Sequence, residues 1–115
     1  MAIFTVVVME APYGRERAYT ALRFALTAAL EGHQVRLFLV QDGVFVAKKG
    51  QSPEQFPNMA GMLEDAIREG VEVKTCTPCC KARAVTPADV VKGVTMATMS
   101  DLVKWSTDSD KVMTF

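Results

Sequence analysis

Three cysteines, Cys76, Cys79 and Cys80, lie within five residues of one another and are the only cysteines of the 115-residue chain. Two cations follow them, Lys81 and Arg83. A thiol acts as a nucleophile or a metal ligand after losing its proton, and nearby positive charge or a helix N-terminus promotes that loss. So compact a cluster predicts reactive thiol chemistry or metal binding rather than a disulfide framework.

The residues around the cluster predict a strand followed by a helix. Valines alternate with polar residues over 71–74, which is typical of a short strand. Pro78 favours a helix start, because its fixed φ and missing N–H cost nothing in a first turn. Cys76 is then expected at the carboxyl end of the strand, and Cys79 in the first helical turn with Arg83 on the same face. We expect this environment to favour a thiolate, which makes Cys76 the first candidate nucleophile.

Apolar periodicity along the rest of the chain predicts strands that alternate with helices. Further strands are expected at 3–9, 35–40, 94–96 and 111–115, long helices at about 16–31 and 58–69, and short helices after Thr86-Pro87 and at the capping-box pair Thr98 and Asp101. This alternation predicts one domain over 1–115, of the α/β class. Its expected architecture is a three-layer α/β/α fold with a mainly parallel sheet of about five strands.

Helical spacing also predicts which side chains form the core. On the first long helix the predicted apolar stripe is Tyr19, Leu22, Leu26, Ala29 and Leu30. The single tryptophan, Trp105, is expected either in the core or at a subunit interface.

Ligands of parallel α/β sheets bind beyond the carboxyl ends of the strands. Those ends correspond to the segments 10–15, 41–50, 75–80 and 96–100, so the cysteine cluster is predicted at the functional edge. Tyr13, Gly14 and Asp42 belong to the same edge and are weaker candidates for substrate contacts, with ordinary turns as the alternative interpretation.

Composition excludes several classes of function. Thirteen basic residues balance thirteen acidic ones, so no general basic surface for nucleic acid or an anionic membrane is expected. The apolar opening of the chain is too short to span a bilayer, and we expect a cytoplasmic protein. No nucleotide-binding motif is present, and no cofactor is expected. Zinc is disfavoured because His33, the one histidine, is predicted at the opposite edge of the sheet, and no metal is expected.

The sequence resembles the DsrE/DsrF-like sulfur-relay family, to which TusD-type subunits belong, and it is most similar to small stand-alone members. The segments that carry the resemblance are 12–14, 16–19, 21–23, 32–39, 41–44, 48–51, the cysteine segment, 98–105 and 110–115. The resemblance implies an α/β/α fold that assembles into a homotrimer or homohexamer. It also implies that Cys76 carries sulfur as a persulfide, with Arg83 as the matching arginine. Many relatives have glycine after that arginine, where this chain has Ala84.

We therefore expect a sulfur carrier or sulfurtransferase that takes sulfur from a persulfide donor protein onto Cys76 and passes it to an acceptor thiol. Cys79 is either a resolving thiol or a bystander, and Cys80 is expected to pack inward. Two alternatives remain open at this point. One is a thiol-disulfide redox protein that uses Cys76 and Cys79, and the other is a non-catalytic oligomeric binding module.

Overall fold

The computed structural model describes residues 1–115 and contains five strands and four α-helices. The strands are β1 (Ile3–Val8), β2 (Gln34–Leu39), β3 (Glu72–Cys76), β4 (Val94–Ala97) and β5 (Lys111–Thr114). The α-helices are α1 (Arg17–Leu30), α2 (Met59–Arg68), α3 (Thr77–Ala82) and α4 (Met99–Thr107). Two 3-10 helices span Gln41–Ala47, here called the 3-10 segment, and Pro87–Asp89. Each predicted strand and long helix is confirmed to within a residue or two.

The five strands form one parallel sheet in the order β4-β3-β2-β1-β5. Parallel strands need helical crossovers, which here cover both faces of the sheet. The predicted three-layer α/β/α architecture is therefore confirmed. Because all strands run in the same direction, their carboxyl ends meet at one edge, where β3 delivers Cys76.

The two faces of the sheet are packed very differently. The face covered by α1 and α2, here called the broad face, holds a cluster of 23 buried residues. The face covered by the nine-residue α4, here called the narrow face, holds a cluster of six. Alternation along β3 sends Val73 to the broad face and Cys76 to the narrow one.

The buried side of α1 differs from the predicted stripe. Its buried residues are Ala18, Ala21, Leu22, Ala25 and Ala28. Leu30 is instead 64% exposed, so its assignment to the core was wrong. Small alanine side chains let a helix backbone approach a sheet closely. The close packing of this alanine face decides which side of α1 is buried, although the larger leucines define the sequence pattern.

Charged groups hold the narrow face together. Arg36 of β2 donates to Asp108 at 2.5 Å and to the carbonyl of Trp105 at 3.1 Å, which ties the end of α4 to the sheet. Lys74 of β3 lies 3.7 Å from Asp101 and over the Trp105 ring. Trp105 is buried against Phe38, which confirms the core interpretation. None of the helices combines the length and the apolar character needed to cross a bilayer.

Candidate functional site

Cys76 lies at the junction of β3 and α3, as predicted. It has extended backbone angles and is the N-cap residue of α3, while Pro78 and Cys79 follow in the first turn. Proline is well placed there because early helical N–H groups have no intrahelical partner. The junction converts the end of a buried strand directly into a helix, which fixes the cysteines in relation to the sheet.

The three thiols are distributed over three environments. Cys76 is 5% exposed and packs in the narrow-face cluster, with Trp105 among its members. Cys80 is fully buried in the broad-face cluster, with its sulfur 3.5 Å from the hydroxyl of Thr75, which confirms that it packs inward. Cys79 is half-buried and packs against both clusters. All three are free thiols, and Cys79 lies between the other two environments.

The predicted thiolate at Cys76 was wrong for this conformation. Burial raises the pKa of the Cys76 thiol above its ordinary value of 9.0 because the anion would lose its hydration. The thiol of Cys79 raises the pKa of Cys76 further, whereas the Cys79 backbone N–H lowers it by a smaller amount. No capping hydrogen bond of regular geometry joins α3 to the Cys76 sulfur. The surroundings of Cys76 in this conformation therefore disfavour the thiolate.

Arg83 is held by groups other than the thiols. Its Nε donates to Asp42 at 2.8 Å, and its Nη1 donates to the carbonyl of Cys79 at 3.2 Å. The ion pair joins the 3-10 segment to the end of α3 across 41 positions of sequence. The structure thus brings Asp42 and Arg83 together, a pairing that nothing in the sequence indicated. Because Asp42 compensates its charge, Arg83 does little to stabilise a thiolate on Cys76.

The position of Asp42 depends on a close approach between the backbone of the 3-10 segment and that of β1. The 3-10 segment crosses the end of β1, and a Cβ on the next residue, Gly43, would lie 2.1 Å from the carbonyl oxygen of Val8. Real Cβ atoms do not come so close to backbone oxygens, so this position requires glycine. The turn predicted at Asp42-Gly43 is therefore also the feature that carries Asp42 to Arg83.

The backbone just after α3 adopts a conformation that favours glycine. Ala84 has φ of +56°, which lies in the left-handed region. Glycine adopts this conformation without the steric cost that a Cβ adds, and it is the usual residue just beyond a helix C-terminus. Ala84 keeps the backbone conformation but bears that cost.

Tyr13 and Gly14 lie beside a separate groove. The groove has a volume of about 830 Å³ and lies between residues 13–16 and 52–56. The Tyr13 hydroxyl donates to Gln51 at 2.5 Å and accepts from the backbone N–H of Met59 at 3.0 Å. These contacts connect Tyr13 to α2 and to the loop before it, not to the cysteine helix. The hydroxyl is thus committed to positioning these elements.

His33 contacts the amino-terminal residues of the chain through a hydrogen bond and an aromatic contact. Its Nδ1 accepts from the backbone N–H of Ala2 at 3.0 Å, and its ring packs edge-on against Phe4. The side chain is half-buried just before the amino end of β2, at the edge opposite the cysteines, where the sequence predicted it. No group of three or more histidine, cysteine, aspartate or glutamate side chains lies in an arrangement that could hold a metal ion.

Comparison with known proteins gives a consistent family relationship. The model of the DsrE/DsrF-like family matches residues 2–115. The protein MK0008 of Methanopyrus kandleri is 57% identical over 113 residues, which cover 98% of this chain and 93% of that protein. YchN of Escherichia coli is 33% identical over 117 residues, with both chains covered completely.

Solved structures agree with the fold. The crystal structure of YchN from Escherichia coli superimposes with a TM-score of 0.94 over 100% of both chains, at 33% identity. The protein MTH1491 of Methanobacterium thermoautotrophicum gives a TM-score of 0.77 at 15% identity, covering 98% of this chain and 97% of that one. The second likeness concerns the fold alone.

Proposed function

Because the chain belongs to the DsrE/DsrF-like family, we propose that it is a sulfur carrier that holds sulfane sulfur as a persulfide on Cys76. The observation that carries the proposal is the position of this thiol. Cys76 ends β3 at the carboxyl edge of a parallel sheet, where α/β proteins bind their ligands. It also occupies the position at which the family resemblance places the sulfur-carrying cysteine.

The loading step is an exchange at sulfur. The Cys76 thiolate attacks the outer sulfur of a donor persulfide, R–S–SH, and the donor leaves as the thiolate R–S⁻. The new bond joins the Cys76 sulfur to the transferred sulfur, giving Cys76–S–SH, and no external oxidant is consumed. An acceptor thiolate then removes the outer sulfur by the same chemistry. Persulfide-bearing donor and thiol-bearing acceptor proteins are the partners that this reaction requires.

Burial gives the resting thiol a specific property. Since the pKa of Cys76 is raised by burial, the reactive thiolate is scarce at neutral pH in the free protein. A donor that docks over α3 changes the surroundings of the sulfur, and we propose that this contact accelerates loading. Arg83 lies at the end of the same helix, where its charge is compensated by Asp42.

The proposal includes assembly into a homotrimer or homohexamer. Met99 and Val103 lie one turn apart on α4 and are 58% and 56% exposed, and Val112 of β5 is 47% exposed. Exposed apolar side chains at helical spacing are a surface that a second copy of the chain can cover. Light scattering after size exclusion should give the mass of three or six chains, and Val103→Glu should reduce it. A wild-type mass equal to one chain would refute this assembly.

Mass spectrometry tests the carrier function. The protein is incubated anaerobically with a low-molecular-weight persulfide, freed of excess reagent and digested. In Cys79→Ser, which lacks the second thiol of the C-x-x-C pair, we expect one added sulfur atom on the Cys76 peptide, removable by a thiol reductant, and we expect none in Cys76→Ser. Equal loading of Cys76→Ser, or no loading of any variant, would contradict the proposal.

A further inference from the structure

Cys76 and Cys79 occupy the positions of a capping box. Cys76 is the N-cap of α3, and Cys79 is the third residue of that helix. In a capping box the side chains of these two positions turn toward each other across the first helical turn. The C-x-x-C sequence thus places two thiols where the fold normally brings a hydroxyl and a carboxylate together.

Two other helices of this protein show the same geometry with oxygen atoms. Thr86 donates through its hydroxyl to Asp89 at 2.8 Å, and Thr98 donates to Asp101 at 3.0 Å. In both pairs the backbone N–H of the threonine also donates to the same carboxylate. In both of these helices the side chains at the N-cap and third positions are therefore in contact.

The first turn of α3 directs Cys76 toward Cys79. An N-cap side chain normally meets the N–H of the second or third helical residue. Pro78, at the second position of α3, has no N–H, which leaves Cys79 to provide it. Residues three apart on a helix have Cβ atoms roughly 5–6 Å apart. Disulfides need a Cβ separation of about 3.5–4.5 Å, so a small adjustment of the first turn is sufficient.

Cys80 is excluded from the same role by its position. Its side chain is fully buried on the broad face beside Thr75, whereas Cys76 belongs to the narrow-face cluster. Cys76 and Cys80 therefore pack on opposite faces of the sheet, although the two are close in sequence. Cys79 is half-buried and packs against the cluster that contains Cys76.

We propose that Cys79 is a resolving thiol that discharges the Cys76 persulfide as sulfide and leaves a Cys76–Cys79 disulfide. This inference rests on the proposed persulfide chemistry of Cys76. It adds an activity, the reduction of sulfane sulfur to sulfide, which a carrier with a single cysteine cannot perform on its own.

The reaction balances without an external oxidant. The Cys79 thiolate attacks the Cys76 sulfur of Cys76–S–SH, the S–S bond to the outer sulfur breaks, and HS⁻ leaves. The outer sulfur is reduced to sulfide and the Cys79 sulfur is oxidised, while the Cys76 sulfur exchanges its bond to the outer sulfur for a bond to Cys79. A thiol reductant, as two equivalents of R–SH, then restores both cysteines and is itself converted to R–S–S–R.

The test follows loaded protein after the donor has been removed. Wild type, Cys79→Ser and Cys80→Ala are loaded anaerobically with glutathione persulfide, gel-filtered and incubated without reductant. Released sulfide is measured by bimane derivatisation, and the protein is measured by intact and peptide mass spectrometry. Cys79→Ala is a second variant in case serine perturbs α3, and thermal unfolding by circular dichroism checks that each variant is folded.

We expect wild type and Cys80→Ala to release one sulfide per loaded chain and to lose two hydrogens across Cys76 and Cys79. Cys79→Ser should load and retain its persulfide, releasing at least tenfold less sulfide. Release from Cys79→Ser equal to that of wild type would overturn the inference. So would sulfur found on Cys79 without released sulfide, or persulfide retained by wild type. If neither wild type nor Cys79→Ser acquires sulfur, the carrier function itself has failed.

Discussion

Cys76 and Cys80 are only four positions apart, yet they belong to opposite faces of one sheet. Cys80 lies among the 23 buried residues of the broad face, which α1 and α2 cover with apolar side chains. Cys76 lies among the six of the narrow face, where α4 is the covering helix and ion pairs fasten it. The same residue type is thus a packing element on one side and a candidate reactive group on the other.

The difference between the faces places Cys76 in the less extensively packed half of the fold. The broad face supplies most of the buried apolar surface, which is the main favourable term in folding. The narrow face contributes fewer apolar contacts and is held by charges whose strength depends on pH and salt. Cys76 therefore lies under the layer whose removal from the sheet costs least.

The largest contrast is expected in alkylation by iodoacetamide. Protein that retains only Cys76, made as Cys79→Ser with Cys80→Ala, should react slowly near neutral pH. Because the pKa of Cys76 is raised, its rate should climb about tenfold per pH unit and should still be climbing at the pH where an ordinary thiol levels off. Protein that retains only Cys80, made with both Cys76→Ser and Cys79→Ser, should stay unreactive until denaturant is added. Fast reaction of Cys76 at pH 7 would show that its thiolate is stabilised in solution.

Equivalent truncations should destabilise the two faces unequally. Leu63→Ala removes a fully buried side chain from the broad face and should lower the free energy of unfolding by about 3 kcal/mol. Leu102→Ala removes a half-buried one from the narrow face and should cost about 1 kcal/mol. Guanidinium titration of both variants measures the difference. Equal losses would mean that α4 contributes as much to stability as α2 does.

The ion pair between Arg36 and Asp108 on the narrow face should make the stability of the protein depend on pH in acid. The hydrogen bond from Arg36 holds the pKa of Asp108 below its usual range. A carboxyl whose pKa is lower in the folded state than in the unfolded state stabilises the fold at any pH above its unfolded pKa, which is about 3.9 for aspartate. This contribution is lost as the pH falls through the lower pKa of the folded state. Asp108→Asn should therefore weaken the pH dependence of the thermal midpoint below about pH 4.

The matched control is Asp65→Asn, which removes the partner of Arg68 in an exposed pair on α2. Exposed pairs contribute little to stability, so its thermal midpoint should follow that of wild type across the same range. Identical acid curves for Asp108→Asn and wild type would rule out a stabilising role for the Arg36–Asp108 pair.

The smallest effect concerns the end of the cysteine helix. Ala84→Gly should raise the free energy of unfolding by about 0.5–1 kcal/mol. It relieves the steric strain of a Cβ in the left-handed region, and this gain exceeds the extra conformational entropy that glycine loses on folding. Ala82→Gly, within α3 and exposed, should have the opposite sign by a similar amount. Chemical denaturation of both variants measures the two changes. Destabilisation by Ala84→Gly would show that its Cβ makes contacts worth more than the strain.

Periodicity and local signals predicted much of the fold. The β-branched run of β1, the glycines after α1 and α2 and the threonine-aspartate pairs depend on neighbours in sequence, so the chain itself carries the information. The position of Cys76 at the end of β3 and the helix start at Pro78 follow for the same reason. The alanine face of α1 was missed, because close approach to a sheet is a tertiary property that the spacing of leucines does not report.

The features of the candidate site likewise fall into those that depend on sequence neighbours and those that depend on tertiary contacts. The sequence by itself determined the parallel α/β architecture, the C-x-x-C at a strand-helix junction and the family, because local spacing and residue type are sufficient for each. Tertiary structure alone decided that Asp42 pairs with Arg83 and that burial raises the pKa of the Cys76 thiol. Both depend on which groups surround a side chain in space, and electrostatic and desolvation energies are set by those surroundings.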